Sequence, residues 1–439
     1  MKNNSINTVL LNNIPKNSKR ILEIGCGCGD FGSKVKKLMP DIYYCGIESN
    51  FEKANLAKEK IDKVYCVDIE SSLICDGIFD CIIFSDSLGD FSNPLSVLNN
   101  LKPSLNQHGV FLFGVSNAQH HSVLASWLSG DFQYHNEGVL SRNHLRLFAY
   151  ANVMKLLLDA GLIPEIIDTV NDAVPEELFT SLEQPLKQIG QDIKRSRYYM
   201  SVYQWVFSGK INSYYKNLAV NKPEPMTFIV PVNNQRQLRD NFLSSPIFED
   251  DHPHQLILLE NESSAADAID KGIKKSVNEL IIYAHQDVYF PLGWDSLFIE
   301  RVAQAKNIFS DAAMFGVYGA SYKNGKNIHA GTVLDRHRYL DAKTPLPAKV
   351  DSVDELAFGF FKSEFPGTDC SLGYHLYAAD IACRYKDKKM STIVVDALCF
   401  HNSAGGFSLP DNFYNSLSHI KNNWKKYFPM ATCCITITD

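Results

Sequence analysis

Three glycines, Gly25, Gly27 and Gly29, follow directly on the apolar run Ile21-Leu22-Glu23-Ile24. Glycines at this spacing permit a tight turn and let the backbone approach a ligand closely. Asp30 stands where a dinucleotide fingerprint wants glycine or alanine, which disfavours a nicotinamide cofactor. The acidic Glu23 ahead of the turn suits a different nucleoside better. The run Tyr43-Tyr44-Cys45-Gly46-Ile47 ends in Glu48, where a carboxylate can accept from both hydroxyls of a ribose. Val64-Tyr65-Cys66-Val67 ends in Asp68, where a carboxylate can take the exocyclic amine of an adenine. Phe79–Phe84 leads into Ser85-Asp86-Ser87. Each polar group stands at the carboxyl end of an expected strand, where open α/β sheets bind ligands.

A second set of polar residues lies two hundred residues on. The apolar run Leu280–Ala284 breaks abruptly into His285-Gln286-Asp287. His285 and Asp287 are at i and i+2, so they point the same way on an extended chain. A divalent ion bridging a diphosphate needs such ligands, with octahedral preference for Mg²⁺ or Mn²⁺. Gln255–Leu259 ends in Glu260 and Asn261, and Thr227–Val232, which includes Pro231, runs into Asn233-Asn234. The pair Cys26 and Cys28 has no partner pair at ligand spacing, so small side chains in a turn account for it.

These residues need strands that end together. Short apolar runs alternate with helical spacing from Arg20 and again from Met226, the pattern of parallel α/β sheets. Between them, Glu176 to Ile193 follow helical spacing and an aromatic stretch (Tyr198 to Phe207) follows. One or two connecting helices are expected there, and Lys222-Pro223-Glu224-Pro225 reads as a stiff linker. The expected divisions are 1–172, a connector over 173–222, and 223–439.

The first of these resembles the class I S-adenosylmethionine-dependent methyltransferases, and within them a branch found with surface-polysaccharide genes. The resemblance rests on Ser116-Asn117, Gly130–Tyr134 and Gly138–Phe148, which includes His144, Leu145 and Arg146. It implies a Rossmann-like domain in which Glu23, Gly25, Gly27, Gly29, Glu48, Asp68 and Asp86 bind the cofactor. His144 would be a base or acceptor clamp with Arg146 beside it, and His120, His121 and His135 are weaker candidates. The sequence departs from the branch at Ser141 and Leu147, and Leu88-Gly89-Asp90 stands where a histidine is usual.

Residues 226–439 resemble a GT-A glycosyltransferase of the family 2 class. The strings carrying this are His285–Val288, Val350–Glu355, Gly373–Ile381 and Val394-Val395-Asp396 running to His401. The resemblance implies a divalent cation on Asp287, His285 and His401. It places the sugar nucleotide against Pro231, Glu260, Asn261, His285 and Asp287, and makes Asp380 the base of an inverting transfer. His285 replaces the first aspartate of the usual metal motif.

Composition limits the rest. The 439 residues carry 43 Lys+Arg against 49 Asp+Glu, a net charge of −6, which argues against wrapping nucleic acid. A 45% hydrophobic share argues against long disorder. No apolar run approaches the roughly 18–20 residues that span a bilayer, and the first twenty residues lack a signal's apolar core. Eleven cysteines, six of them between Cys26 and Cys81, fit a reducing cytoplasm better than a disulfide framework. The expectation is a cytoplasmic bifunctional enzyme, with a location peripheral to the inner membrane left open. It would act on a glycan or lipid-linked glycan with S-adenosylmethionine and a nucleotide-sugar donor. The alternatives are a glycosyltransferase whose first domain only binds or regulates, or a methyltransferase with a lectin-like second domain.

Overall fold

The computed structural model describes residues 7–71, 77–212, 223–336, 338–403 and 409–438. The chain forms two compact units, 1–213 and 214–439. No helix among the described residues is long and apolar enough to cross a membrane.

The first unit holds strands β1 (Arg20–Ile24), β2 (Tyr43–Ile47), β3 (Lys63–Tyr65), β4 (Phe79–Ser85), β5 (Leu105–Ser116), β6 (Leu162–Asn171) and β7 (Val202–Ile211). Its helices are α1 (Thr8–Asn12), α2 (Asp30–Leu38), α3 (Phe51–Lys58), α4 (Pro94–Leu101), α5 (His121–Ser129), α6 (Tyr150–Asp159), α7 (Glu176–Gln188) and α8 (Ile193–Ser201). The strand order is β3-β2-β1-β4-β5-β7-β6. Strands β1 to β5 pair in parallel, and β7 runs antiparallel to both β5 and β6. The order reverses between β1 and β4, the point where such sheets open a crevice for a ligand.

The aromatic stretch expected to belong to a helical connector is in fact β7, wedged between β5 and β6. Trp205 and Phe207 pack on Tyr150 of α6 with ring centroids 5.5 and 6.3 Å away. Val206, facing the other way, joins the core of Leu10, Ile21, Val35 and Tyr44. A strand buried on both faces reads as a continuous apolar run, which periodicity does not separate from other buried segments. The first unit thus takes in α7, α8 and β7, beyond the expected boundary at 172. Lys222 of the expected linker lies outside the described residues.

The second unit holds β8 (Thr227–Val232), β9 (Gln255–Glu260), β10 (Leu280–Ala284), β11 (Val288–Tyr289), β12 (Ala312–Gly316), β13 (Tyr318–Lys323), β14 (Lys326–Asp335), β15 (Arg338–Ala342), β16 (Ala348–Val350), β17 (Ser352–Val353), β18 (Ala357–Phe361), β19 (Ser391–Val394) and β20 (Phe400–His401). Its helices are α9 (Gln235–Asp240), α10 (Ala265–Lys275), α11 (Trp294–Ile308), α12 (Tyr377–Asp387) and α13 (Asp411–Trp424). The main sheet runs β16-β19-β12-β18-β10-β8-β9, with β9, β8 and β10 parallel. Phe228, Val230 and Ile282 turn toward α11, while Ile229, Ile281 and Tyr283 turn toward α10 and α12. A smaller sheet, β11-β20-β14-β13-β17 with β15 on β14, carries the functional strand ends described below.

Candidate functional site

In the first unit the turn after β1 adopts left-handed backbone at Gly25, Gly27 and Gly29, with φ of 72°, 54° and 75°. A Cβ on Gly25 would lie 2.8 Å from Ser87 Cβ, and one on Gly29 3.0 Å from Ala57 Cα in α3. Gly27 differs: nothing described lies within 4 Å of a Cβ there, so its free face looks onto open space. Glu48 closes the turn. It accepts from the N–H of Gly27 at 2.9 Å and of Asn50 at 2.8 Å, which leaves each oxygen able to accept again. This open turn with a fixed carboxylate at its rim fits a ribose and its attached nucleoside.

One expected cofactor ligand, Glu23, stands elsewhere. Glu23 is 1% exposed and accepts from the hydroxyls of Tyr44 at 3.0 Å and Ser85 at 2.7 Å. It ties β1 to β2 and β4 from beneath, and burial pushes its carboxyl up to about 7. Asp68 is exposed in the turn beyond β3, its Oδ1 accepting the Glu70 N–H at 3.0 Å. Glu70 then accepts from Ser92 N–H at 3.0 Å and Asn93 N–H at 2.7 Å, which clamps this turn to the loop after β4.

Beside the turn, Asp86, Ser116, His144, Arg146 and Phe148 line an opening of about 220 Å³, its mouth included. Asp86 accepts from Ser116 N–H and Oγ–H, both at 2.8 Å, and burial raises its carboxyl to about 6. His144 Nδ1 is 3.0 Å from the Val139 carbonyl, so it carries the proton and Nε2 is left with its lone pair. That Nε2 faces Asp86 Oδ2 at 4.0 Å and Asp90 Oδ1 at 3.9 Å. Gly89 makes room for the ring, since a Cβ there would meet His144 Cδ2 at 3.2 Å. The departure at Leu88-Gly89-Asp90 therefore seats His144. Arg146 lines the same opening, and its exposed guanidinium donates to the Ser92 carbonyl, which holds the loop.

In the second unit His285, Asp287 and His401 converge, with one potential ligand atom from each within 4.8 Å of the others. The small sheet sets this up. Val288 of β11 pairs with His401 of β20, and His401 pairs in turn with Asp335 of β14. His401 Nε2 lies 3.3 Å from Asp287 Oδ1, and its Nδ1 lies 2.9 Å from Asp335 Oδ1. Burial works to lower His401, but the two carboxylates outweigh it and lift the imidazole to about 10. Burial likewise works to raise Asp287, and His401 beside it brings the carboxyl down to about 2. His285 Nε2 is 3.0 Å from the Tyr377 hydroxyl, which in turn lies 3.2 Å from the Glu355 carbonyl. With that hydroxyl donating onward, Nε2 holds the proton and Nδ1 is left as a ligand. Two imidazoles, a carboxylate and an orienting second carboxylate suit a divalent cation.

Asp380 is misplaced as a base. It is fully buried in α12, with Oδ2 taking Arg384 Nε at 2.6 Å and Oδ1 taking Trp424 Nε1 at 2.7 Å. It is occupied in fastening α12 to α13. Pro231 lies inside β8 opposite Leu259, past Ile229 where the pairing with β10 stops, and not at the strand end. Glu260 ends β9 and accepts from Gln235 Nε2 at 2.6 Å, and Asn261 follows it in a left-handed turn with φ 56°. Both lie at the same sheet edge as His285. Two residues gain a role that spacing did not disclose. Asp335 orients His401 from 66 residues away. Glu355, in the turn between β17 and β18, accepts the Ala378 N–H at the start of α12 at 3.4 Å, and burial and Asp354 push its carboxyl up to about 8.

Residues 5–162 match the family described as a methyltransferase domain. No curated protein matches the chain. Among solved structures, the plantazolicin methyltransferase BpumL with bound SAH is similar at 20% identity and TM-score 0.33, over 46% of this chain and 80% of that one. A SAM-dependent methyltransferase from Thermotoga maritima is similar at 16% and 0.33, over 46% of this chain and 86% of that one. One from Archaeoglobus fulgidus is similar at 15% and 0.32, over 44% and 87%. Likenesses this distant add nothing to the family match. The N-terminal half of the chain carries a class I methyltransferase domain on a Rossmann-like sheet, and the second unit is an α/β unit of unassigned family.

Proposed function

We propose that the first unit transfers a methyl group from S-adenosylmethionine to a hydroxyl, and that the second transfers a sugar from a nucleotide donor, both on a bacterial surface glycan. The observation that carries the first half is the open turn at Gly27 with Glu48 at its rim, beside an opening faced by His144. Gly25, Gly27, Gly29, Glu48 and Asp68 would hold the cofactor, which supplies a methyl on a sulfonium. Such a carbon needs positioning more than activation. His144 Nε2 takes the acceptor's hydroxyl proton, and Asp86 and Asp90 stabilise the imidazolium that forms.

The second half is supported by the convergence of His285, Asp287 and His401 at the edge where β8, β9 and β10 end. These residues would hold a divalent cation, which offsets the charge of a departing diphosphate. Asp335 keeps the His401 ring turned toward it. Glu260 and Asn261 face the nucleoside.

Calorimetry on the full chain with S-adenosylmethionine, and with UDP- and GDP-sugars in Mn²⁺, tests both halves. Glu48→Ala is expected to lose only the first ligand and Asp287→Ala only the second. A chain that binds neither ligand overturns the proposal, and one that binds a single ligand discards the other half.

A further inference from the structure

A second group of metal-ligand side chains lies in the first unit, away from the cofactor turn. His120 caps the start of α5 just after β5, His121 follows it, and Asp172 stands just past the end of β6. One ligand atom from each lies within 4.8 Å of the others. The rings of His120 and His121 are 4.1 Å apart. Both Nε2 atoms are buried, and neither has a hydrogen-bond partner among the described residues. His120 as a residue is only 2% exposed.

Burying a ring nitrogen without a hydrogen-bond partner is costly. Two such rings, each with a ligand atom within 4.8 Å of the other's and of the Asp172 carboxylate, call for a common partner. The remaining contacts suit a cation. His120 Nδ1 accepts the Ser122 N–H at 3.3 Å and lies 2.8 Å from Ser122 Oγ; on binding a cation the ring would give up that cap, donate to Oγ and present Nε2 as the ligand. Asn117 fixes the surrounding backbone by donating to the Tyr199 and Val202 carbonyls at 2.8 and 2.7 Å.

We infer that His120, His121 and Asp172 bind a divalent transition cation of the zinc class. Two imidazoles favour Zn²⁺ or Co²⁺ over Mg²⁺. Three protein ligands leave a fourth tetrahedral position for water. Bound there, the cation would pin the start of α5, and the acceptor-side loop after it, to the end of β6.

The test uses the full chain carrying Asp287→Ala and His401→Ala, so that the second unit's histidine cluster takes no part. After Co²⁺ loading and dialysis, one Co²⁺ per chain is expected, with the visible absorption of a tetrahedral site. Adding His121→Ala should bring retained Co²⁺ to zero while far-UV circular dichroism is unchanged. His121→Cys should keep the ion and add a thiolate-to-cobalt charge-transfer band, which a merely misfolded variant would not show. Either of two results overturns the inference: no Co²⁺ retained by the parent variant, as when a water satisfies both rings, or Co²⁺ retention indifferent to His121.

Discussion

The cofactor turn of the first unit and the histidine cluster of the second place carboxyl groups in burial of a similar degree, with opposite results. Around the turn, Glu23 is raised to about 7, because burial is answered mainly by the Ser85 and Tyr44 hydroxyls, and Asp86 to about 6, because burial outweighs His144 at 4.0 Å and the Ser116 donors. In the cluster, Asp287 is brought down to about 2, because a histidine stands against it. The first arrangement is built on backbone and hydrogen bonds, and it suits a nucleoside recognised by its hydroxyls. The second is built on paired charge, with His401 in the place of a cation. Burial alone does not decide the protonation of a carboxyl; how closely a charged partner stands against it also does, 4.0 Å for Asp86 and 3.3 Å for Asp287.

Four measurements sharpen or break that contrast. The largest effect is expected at His144. His144→Gln should lower methyl transfer by about 10²–10⁴-fold while S-adenosylmethionine binding holds, read by single-turnover kinetics. Equal loss of binding would make the ring part of the cofactor turn.

Next is Asp380→Asn, which unpairs Arg384 and weakens the Trp424 bond. Breaking such a buried pair should cost about 3–5 kcal/mol in denaturant unfolding of the second unit. Sugar-nucleotide turnover per folded molecule should survive. If turnover vanishes with stability intact, Asp380 is a base after all.

Glu23 gives a pH signature. Its folded carboxyl holds a proton up to about 7, whereas the unfolded one releases it near 4.5. Between those values the folded state binds more protons, so stability falls as pH rises and levels off above about 7. The slope should amount to on the order of 3 kcal/mol across that window. Glu23→Gln should flatten it, and an unchanged slope in the variant would assign the effect elsewhere.

The smallest effect concerns Asp335. Asp335→Asn should weaken Mn²⁺ binding at the cluster by roughly 10–100-fold, because it only orients His401. Titration calorimetry reads this, and unaltered affinity would remove Asp335 from the site.

The sequence disclosed what local chemistry determines. Gly25–Gly29 and Glu48 were legible because a strand end and a tight turn each leave a residue-type signature. His285 and Asp287 were legible because two positions apart on a strand means one face. What stayed hidden depends on distant partners. Glu23 carries the same side chain whether it faces a ligand or Tyr44 and Ser85. Asp380 looks like a free carboxylate until Trp424, 44 residues later, folds onto it. The aromatic run from Val202 becomes a strand only because β5 and β6 leave a gap between them. Asp335 has no motif of its own, since its whole role is to meet His401.

Strand β20 is only two residues long, yet it lies between β11 and β14 and holds His401 against both neighbours. A slip of one residue would turn that ring to the opposite face of the ribbon. His401 is also far along the chain from His285 and Asp287, so the unfolded polypeptide presents only part of the assembled set. A cation that prefers the assembled set therefore acts by mass action on folding itself. Each tenfold excess over its dissociation constant would add about 1.4 kcal/mol to the stability of the second unit.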